Sequence, residues 1–202
     1  MKSISNIAIV IMAAGASTRM GRPKQLLKWK EATLLQHVIS ICEKTLAKKV
    51  FVVLGANYEL IYPKISKDSV NVIHNTSWHL GLGKSIACAT KQIINSIEAY
   101  DGLLVVLGDQ PFLTTSFLDK LISDFDVNSK SILATGYGGN SGVPVLFHKY
   151  YFRDLSELSG DNGAKLLLKK NEKRVECYRP DFDNMDIDTE VDYLKIVSSS
   201  KQ

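Results

Sequence analysis

Four apolar runs mark the first half of the chain: IAIVIM (7–12), VFVVLG (50–55), VNVI (70–73) and LLVVLGD (103–109). Each is short and almost unbroken, as expected of a strand covered on both faces rather than one with a wet side. Between them, apolar side chains return at helical spacing: Leu34, Leu35, Val38, Ile41, Cys42 and Leu46 make one stripe, and Ile86, Ala89, Ile93 and Ile97 another. Strand therefore alternates with helix. Parallel neighbours need such crossovers, so the pattern predicts an α/β domain built on a mostly parallel sheet.

The second half is less regular. Thr114 or Thr115 is placed to cap a helix carrying Leu118, Leu121, Ile122 and Phe125, and short strands are predicted at SILATG (131–136), PVLFH (144–148) and VECYR (175–179). GYGGNSG (136–142) is the richest turn-forming stretch and reads as a mobile loop between strands. A last helix would present Val191, Leu194 and Ile196 or Val197 to the core. There is no linker, repeat or low-complexity tract. The expected organisation is one domain over residues 1–198, a Rossmann-like three-layer arrangement, with a short polar tail at 199–202.

Composition agrees. The chain has 202 residues, 45% hydrophobic and 23% charged, enough for a core of its own. Its net charge of +4 is spread along the sequence rather than gathered into a stripe, which disfavours nucleic acid as a partner. Cys42, Cys88 and Cys177 lie far apart in apolar contexts and predict buried thiols in a reducing cytoplasm. Lys2 followed by IAIVIM and small residues imitates a secretory leader, but one lysine is a thin positive region and the run is needed as a strand. No segment reaches the ~20 apolar residues that would span a bilayer.

The first run opens directly into AAGASTRMGRPK (13–24), which a parallel sheet would deliver to its carboxyl edge, where open α/β folds bind ligands. Small residues let the backbone approach a bound group, and successive N–H groups can cradle an anion. Arg19 and Lys24 would add full positive charge for phosphate oxygens. Two familiar phosphate loops are excluded by spacing. Gly83-Lys84-Ser85 ends like a P-loop, but Trp78 stands where its first glycine is required. GLGKSI begins like a dinucleotide fingerprint, yet Ile86 takes the place of the third glycine.

LLVVLGDQP offers Asp109 at a strand end, where a carboxylate can hold Mg²⁺ beside phosphates. Asp186 and Asp188 could supply a second ligand, provided the fold returns that segment to Asp109; one of them could equally be a helix cap. The histidines His37, His74, His79 and His148 lack zinc spacing, and no G-x-S-x-G elbow occurs.

AAGASTRMGRPKQLL resembles the signature loop of the nucleotidyltransferases that attach a nucleotide to molybdopterin. The likeness continues in order through GLGKSIACA (81–89), GDQP (108–111), GVPVLF (142–147), SGDNGAKLLL (159–168) and DIDTEVDYL (186–194). The resemblance implies the nucleotide-diphospho-sugar transferase fold and a Mg²⁺-dependent transfer. Ala13-Ala14-Gly15, where the guanylyl branch has AGG, is similar to the cytidylyl branch and implies CTP. It further implies that Ala13, Ala14 and Gly15 line base and ribose, that Arg19 and Lys24 hold the triphosphate, and that Gly83 and Ser85 contact the nucleotide from the opposite wall. Arg19, Lys24 and Asp109 would be catalytic, Asp109 would hold the metal with Asp188, Asp186 being the alternative, and Gly142, Pro144, Asp161 and Gly163 would shape the acceptor pocket. The implied acceptor is molybdopterin and an implied partner is a molybdenum hydroxylase; guanylyl transfer, another phosphate acceptor and non-catalytic cofactor carriage are the rival readings. The sequence departs from the family pattern at Glu31, Val143, Glu190 and Val191.

Overall fold

The run at 7–12 becomes the middle of the sheet. In a computed structural model, which describes residues 5–65, 70–183 and 185–199, the chain runs through β1 (Ile7–Ala13), the small pair β2 (Lys28–Trp29) and β3 (Ala32–Thr33), α1 (Leu34–Glu43), β4 (Lys49–Leu54), α2 (Tyr58–Ile65), β5 (Asn71–His74), α3 (Leu82–Ile94) and β6 (Gly102–Leu107). It continues through α4 (Thr115–Asp124), β7 (Ile132–Tyr137), β8 (Asn140–His148), α5 (Phe152–Ser156), α6 (Lys165–Lys170), β9 (Val175–Tyr178) and α7 (Glu190–Ser199). The sheet order is β5-β4-β1-β6-β8-β7-β9. All the contacts are parallel except those of β8, which runs antiparallel to both β6 and β7. The expected α/β fold with a mostly parallel sheet is therefore present.

The alternation of β1 divides the core. Ile7, Ile9 and Ile11 meet Leu35, Val38, Phe117 and Leu121 of α1 and α4 on one face, while Ala8, Val10 and Met12 meet Ile86, Ala89 and Ile93 of α3 on the other. Burying a side chain such as Phe117 or Ile9 contributes roughly 1.5–3 kcal/mol. Local signals fix the helix starts. Thr33 and Gln36 form a reciprocal capping box at α1, and the Thr114 hydroxyl accepts from the Phe117 N–H at α4, which selects Thr114 over Thr115.

Four sequence expectations need correction. Of the three cysteines only Cys42 is buried; Cys88 is half-buried and Cys177 is exposed. The stretch 136–142 is a hairpin rather than a loop: Gly136 and Tyr137 finish β7, Asn140 to Gly142 begin β8, and Gly138-Gly139 alone make the turn, both with positive φ as tight hairpin turns require. Leu46 and Ile97 fall outside their helices and are exposed. The Thr45 and Ser96 hydroxyls donate to the Cys42 and Ile93 carbonyls and close α1 and α3 before those residues. In α7 the buried stripe is Tyr193, Ile196 and Val197, whereas Val191 and Leu194 face solvent. Lys2 and residues 200–202 of the tail lie outside the described residues. Among the described residues no helix is long and apolar enough to cross a membrane.

At the edge opposite the strand carboxyl ends, Asp101 ties three strands together. Its carboxylate accepts from the Asn6 N–H at 3.1 Å and from Lys149 Nζ at 3.0 Å. Desolvation pushes this carboxyl up, but the Lys149 and Asn6 contacts outweigh it and hold the group below the usual aspartate range. A carboxyl lowered on folding contributes stability above the ordinary aspartate value of about 4 and loses it as pH falls through the folded value. Asp101→Asn should cost about 1 kcal/mol at neutral pH, since Lys149 is half exposed and screened. Urea unfolding at neutral and acid pH checks this: the gap between variant and parent should close in acid.

Candidate active site

The loop after β1 meets the loop after β6 at the carboxyl edge, as a parallel pair requires. The Gly108 N–H donates to the Met12 carbonyl at 3.0 Å, setting Asp109 beside the start of the 13–17 loop. That loop is held from below by Gln25, which is 2% exposed. Gln25 Nε2 donates to the carbonyls of Ala13 (2.9 Å) and Gly15 (3.0 Å), and its Oε1 accepts from the Ser17 hydroxyl. The Ser17 hydroxyl in turn accepts from the Lys24 N–H at 3.1 Å. One buried amide thus fixes the curvature of the loop and the place of the lysine after it.

Lys24 is the electrostatic centre. Its ammonium forms an ion pair with Asp109 and lies 3.3 Å from Asp188 Oδ1; Arg19 pairs with the other Asp188 oxygen at 3.0 Å. Burial by itself would lower the Lys24 ammonium, but the Asp109 and Asp188 charges more than offset it and hold it above the ordinary lysine value. Asp186 keeps an exposed edge, yet desolvation of its carboxyl, with Asp109 and Asp188 nearby, pushes it above the usual range. Three carboxylates face two cations here, so the cluster is left net negative.

The chain returns Asp186 and Asp188 to Asp109 by a period-two device. Ile187 lies between them, fully buried in a satellite core with Met20, Leu27, Trp29, Leu34 and Ile196, while its N–H donates to the Asp109 carbonyl at 3.2 Å. With Ile187 turned inward, the aspartates on either side face the cleft. Outside it, Arg22 and Glu190 form a 2.7 Å ion pair at the start of α7.

These residues border a cavity of about 470 Å³. Ala13, Ala14, Gly15, Lys24, Ser85, Asp109, Asp161, Asp186 and Asp188 all line it, so most of the residues singled out from the sequence come together. Arg19 lies at the rim, exposed and paired with Asp188. Gly83 instead faces the 159–160 backbone: its N–H donates to the Gly160 carbonyl at 2.8 Å, and a Cβ there would lie 2.7 Å from the Ser159 carbonyl oxygen. Gly163 packs on Leu82, and Gly142 packs on Tyr137. The Pro144 carbonyl accepts from Thr135 at 2.7 Å inside the hairpin. None of these three lines the cavity. Trp78 and His79 line it without having been singled out as site residues. The signal available for Trp78 was Gly55, on whose bare backbone the Trp78 side chain lies so closely that a Cβ would meet it at 2.4 Å.

The donor set suits a hard divalent ion. Asp109 Oδ1 is buried with no hydrogen-bond partner, an unusual state for a carboxylate oxygen and one that a metal would relieve. Among the described residues no three acidic, histidine or cysteine side chains form a ready-made metal cage. Mg²⁺-type ions need none, because they take one or two carboxylates plus waters and phosphate oxygens.

A doubly wound sheet whose carboxyl edge carries a small-residue loop, two cations and convergent aspartates is the setting in which open α/β folds bind phosphate-bearing ligands. Comparison agrees: residues 9–175 match the MobA-like NTP transferase domain, and the chain belongs to that family. It is 33% identical over 143 residues to the bifunctional protein GlmU of Vesicomyosocius okutanii, a match covering 67% of this chain and 30% of that protein. The chain thus spans under a third of the curated relatives it matches. Among solved structures it superposes with a TM-score of 0.81 on the homolog of Mycobacterium tuberculosis Rv0371c from Mycobacterium sp. strain JC1, at 29% identity over 96% of each chain. It superposes equally well, at 25% identity, on Rv0371c of M. tuberculosis in complex with manganese, covering 96% of this chain and all of that one.

Proposed function

We propose that the chain transfers a cytidylyl group from CTP to the terminal phosphate of a molybdopterin-type acceptor, releasing pyrophosphate and forming a cytosine dinucleotide. The observation that carries the phosphate-transfer part is the Lys24 ammonium set between Asp109 and Asp188 at the mouth of the Ala13–Gly15 loop. The choice of CTP and of molybdopterin rests on the resemblance of Ala13-Ala14-Gly15, GDQP and DIDTEVDYL described above.

In this mechanism an acceptor phosphate oxygen attacks the α-phosphorus of CTP while the bond to pyrophosphate breaks. The acceptor is already anionic, so no protein nucleophile or base is required. Catalysis reduces to aligning two anions and neutralising charge as it builds. Ala13, Ala14 and Gly15 would line the base and ribose, with Ser85 on the facing wall. Lys24 and Arg19 would leave their aspartate partners for the α-phosphoryl oxygens and the departing pyrophosphate. Asp109 and Asp188 would hold a divalent ion, with Asp186 as the alternative second ligand; when bound, the ion supplies Lewis-acid charge to the phosphate oxygens. Asp161, together with Gly142, Pro144 and Gly163, would shape the pocket for the acceptor.

A second reading keeps the chemistry and changes the acceptor to a sugar phosphate, favoured by the similarity to GlmU. The test is pyrophosphate release from CTP, GTP, ATP and UTP with Mg²⁺ or Mn²⁺, in the presence of molybdopterin or of sugar phosphates. Release confined to CTP with molybdopterin is the expected result; equal release from GTP, or release only with a sugar phosphate, would reassign the substrates.

A further inference from the structure

Two buried polar side chains stand behind the cavity wall and have no part in the charge cluster. Asn75 follows β5 and Ser85 lies in the first turns of α3; each is 3% exposed, and Ser85 borders the cavity. They are 3.0 Å apart, Nδ2 to Oγ.

The polarity of that contact follows from a third group. The Ser77 backbone N–H, which can only donate, lies 3.0 Å from the other end of the Asn75 amide. The end facing Ser77 must be the oxygen, so the end facing Ser85 must be the NH₂. Asn75 is further anchored through its backbone, its N–H donating to the Leu54 carbonyl at 2.8 Å and its carbonyl accepting from Trp78 at 3.3 Å. Turning the amide over would strand the half-buried Ser77 N–H against another donor. The Ser85 oxygen accepts from Asn75 and keeps its own proton to donate. That proton is left for the cavity.

We propose that Asn75 is a positioning residue that fixes Ser85 as a hydrogen-bond donor toward the bound nucleotide, so that the wall accepts a carbonyl oxygen of the base and resists an amino group at the same point. The inference rests on the reading of the cavity as a nucleoside triphosphate site. The relay has a definite inversion. In Asn75→Asp the carboxylate accepts from both Ser77 and Ser85; the Ser85 proton turns inward and its lone pairs face the ligand. Protonating that buried carboxyl restores a donor toward Ser85, so the defect should be relieved in mild acid.

The experiment measures CTP affinity, from mildly acid to mildly alkaline pH, for the parent, Asn75→Asp, Ser85→Ala and the double variant. Expected is about tenfold weaker binding by Asn75→Asp at alkaline pH, the size of one lost hydrogen bond with an acceptor left facing an acceptor. Relative to the parent at the same pH, the loss should shrink as pH falls, and in the Ser85→Ala background the Asn75 change should add nothing. Should Asn75→Asp fail to fold, Asn75→Ala carries the same double-variant comparison without a buried charge. A merely structural role would weaken binding equally with and without Ser85 and would show no recovery in acid; either result overturns the relay. Binding of CTP that is unchanged in Asn75→Asp overturns the relay and leaves the nucleotide site standing. A folded parent that binds none of CTP, UTP, GTP and ATP overturns both.

Discussion

Lys24→Met is expected to lower the rate of pyrophosphate release by about a hundredfold or more, because one fully charged contact to the transferring phosphoryl group is worth roughly 3 kcal/mol in the transition state. The methionine keeps the length of the stem and removes the ammonium. In the ligand-free protein the same change leaves Asp109, Asp186 and Asp188 facing one another with Arg19 as the remaining neighbouring cation. A divalent ion should then bind the variant more tightly than the parent, since the ammonium that competes for Asp109 and Asp188 is gone. Calorimetric titration with Mn²⁺, run beside the turnover assay, gives both numbers from one preparation. Full turnover in a folded Lys24→Met would remove Lys24 from the mechanism; weaker metal binding would mean that the aspartates do not share a site with the ion.

The second large effect is structural. Gly81, which ends the short turn Trp78–Leu80 and starts α3, has φ 93° and ψ 176°, a region open to glycine almost alone. A Cβ there would lie 2.4 Å from the Gly160 carbonyl carbon and 2.6 Å from Asp161 Oδ1. Backbone bonds from Gly160 to Leu80 and from Gly83 to Gly160 stitch the same seam. Gly81→Ala combines a forbidden conformation with overpacking, each costing about 1–3 kcal/mol, and so should lose about 2–5 kcal/mol. Gly138→Ala is the comparison: its φ of 52° is also left-handed, but nothing lies within 4 Å of the added carbon. It should cost about 1 kcal/mol. Similar unfolding midpoints for the two variants would show that the 80–83/159–160 seam does not hold the helix start. Because that seam carries Ser85, Gly81→Ala should also weaken nucleotide binding beyond what its stability loss explains.

The parts of the site written in local sequence were the parts readable from it. An apolar run that breaks into small and basic residues announces a strand and its loop, and Gly108-Asp109 at the end of another such run announces a carboxylate at the same edge. The Asp-Ile-Asp alternation holds the remainder, but its partner is a satellite core whose members are scattered from Met20 to Ile196. Nothing local says which isoleucine fills it. Helix phases failed where a hydroxyl closes the helix early, at Thr45 and Ser96, because propensity does not register a side chain bonding its own backbone. The hairpin at 136–142 was hidden by its own glycines: they mark a turn, yet the two flanking strands pair with each other right up to it, Tyr137 opposite Asn140. Gln25 and Asn75 escaped for a related reason. A buried amide looks like any surface amide until the carbonyls and N–H groups it serves are known.

The pairing of Arg19 with Asp188 joins residues 169 positions apart. A ribosome must therefore deliver all the intervening residues before Arg19 can meet its carboxylate, although the strands beneath its loop have long since emerged. Asp109 can meet Lys24 well before that, but it is the seating of Ile187 in its pocket that brings Asp186 and Asp188 to the same edge and gives Arg19 its partner.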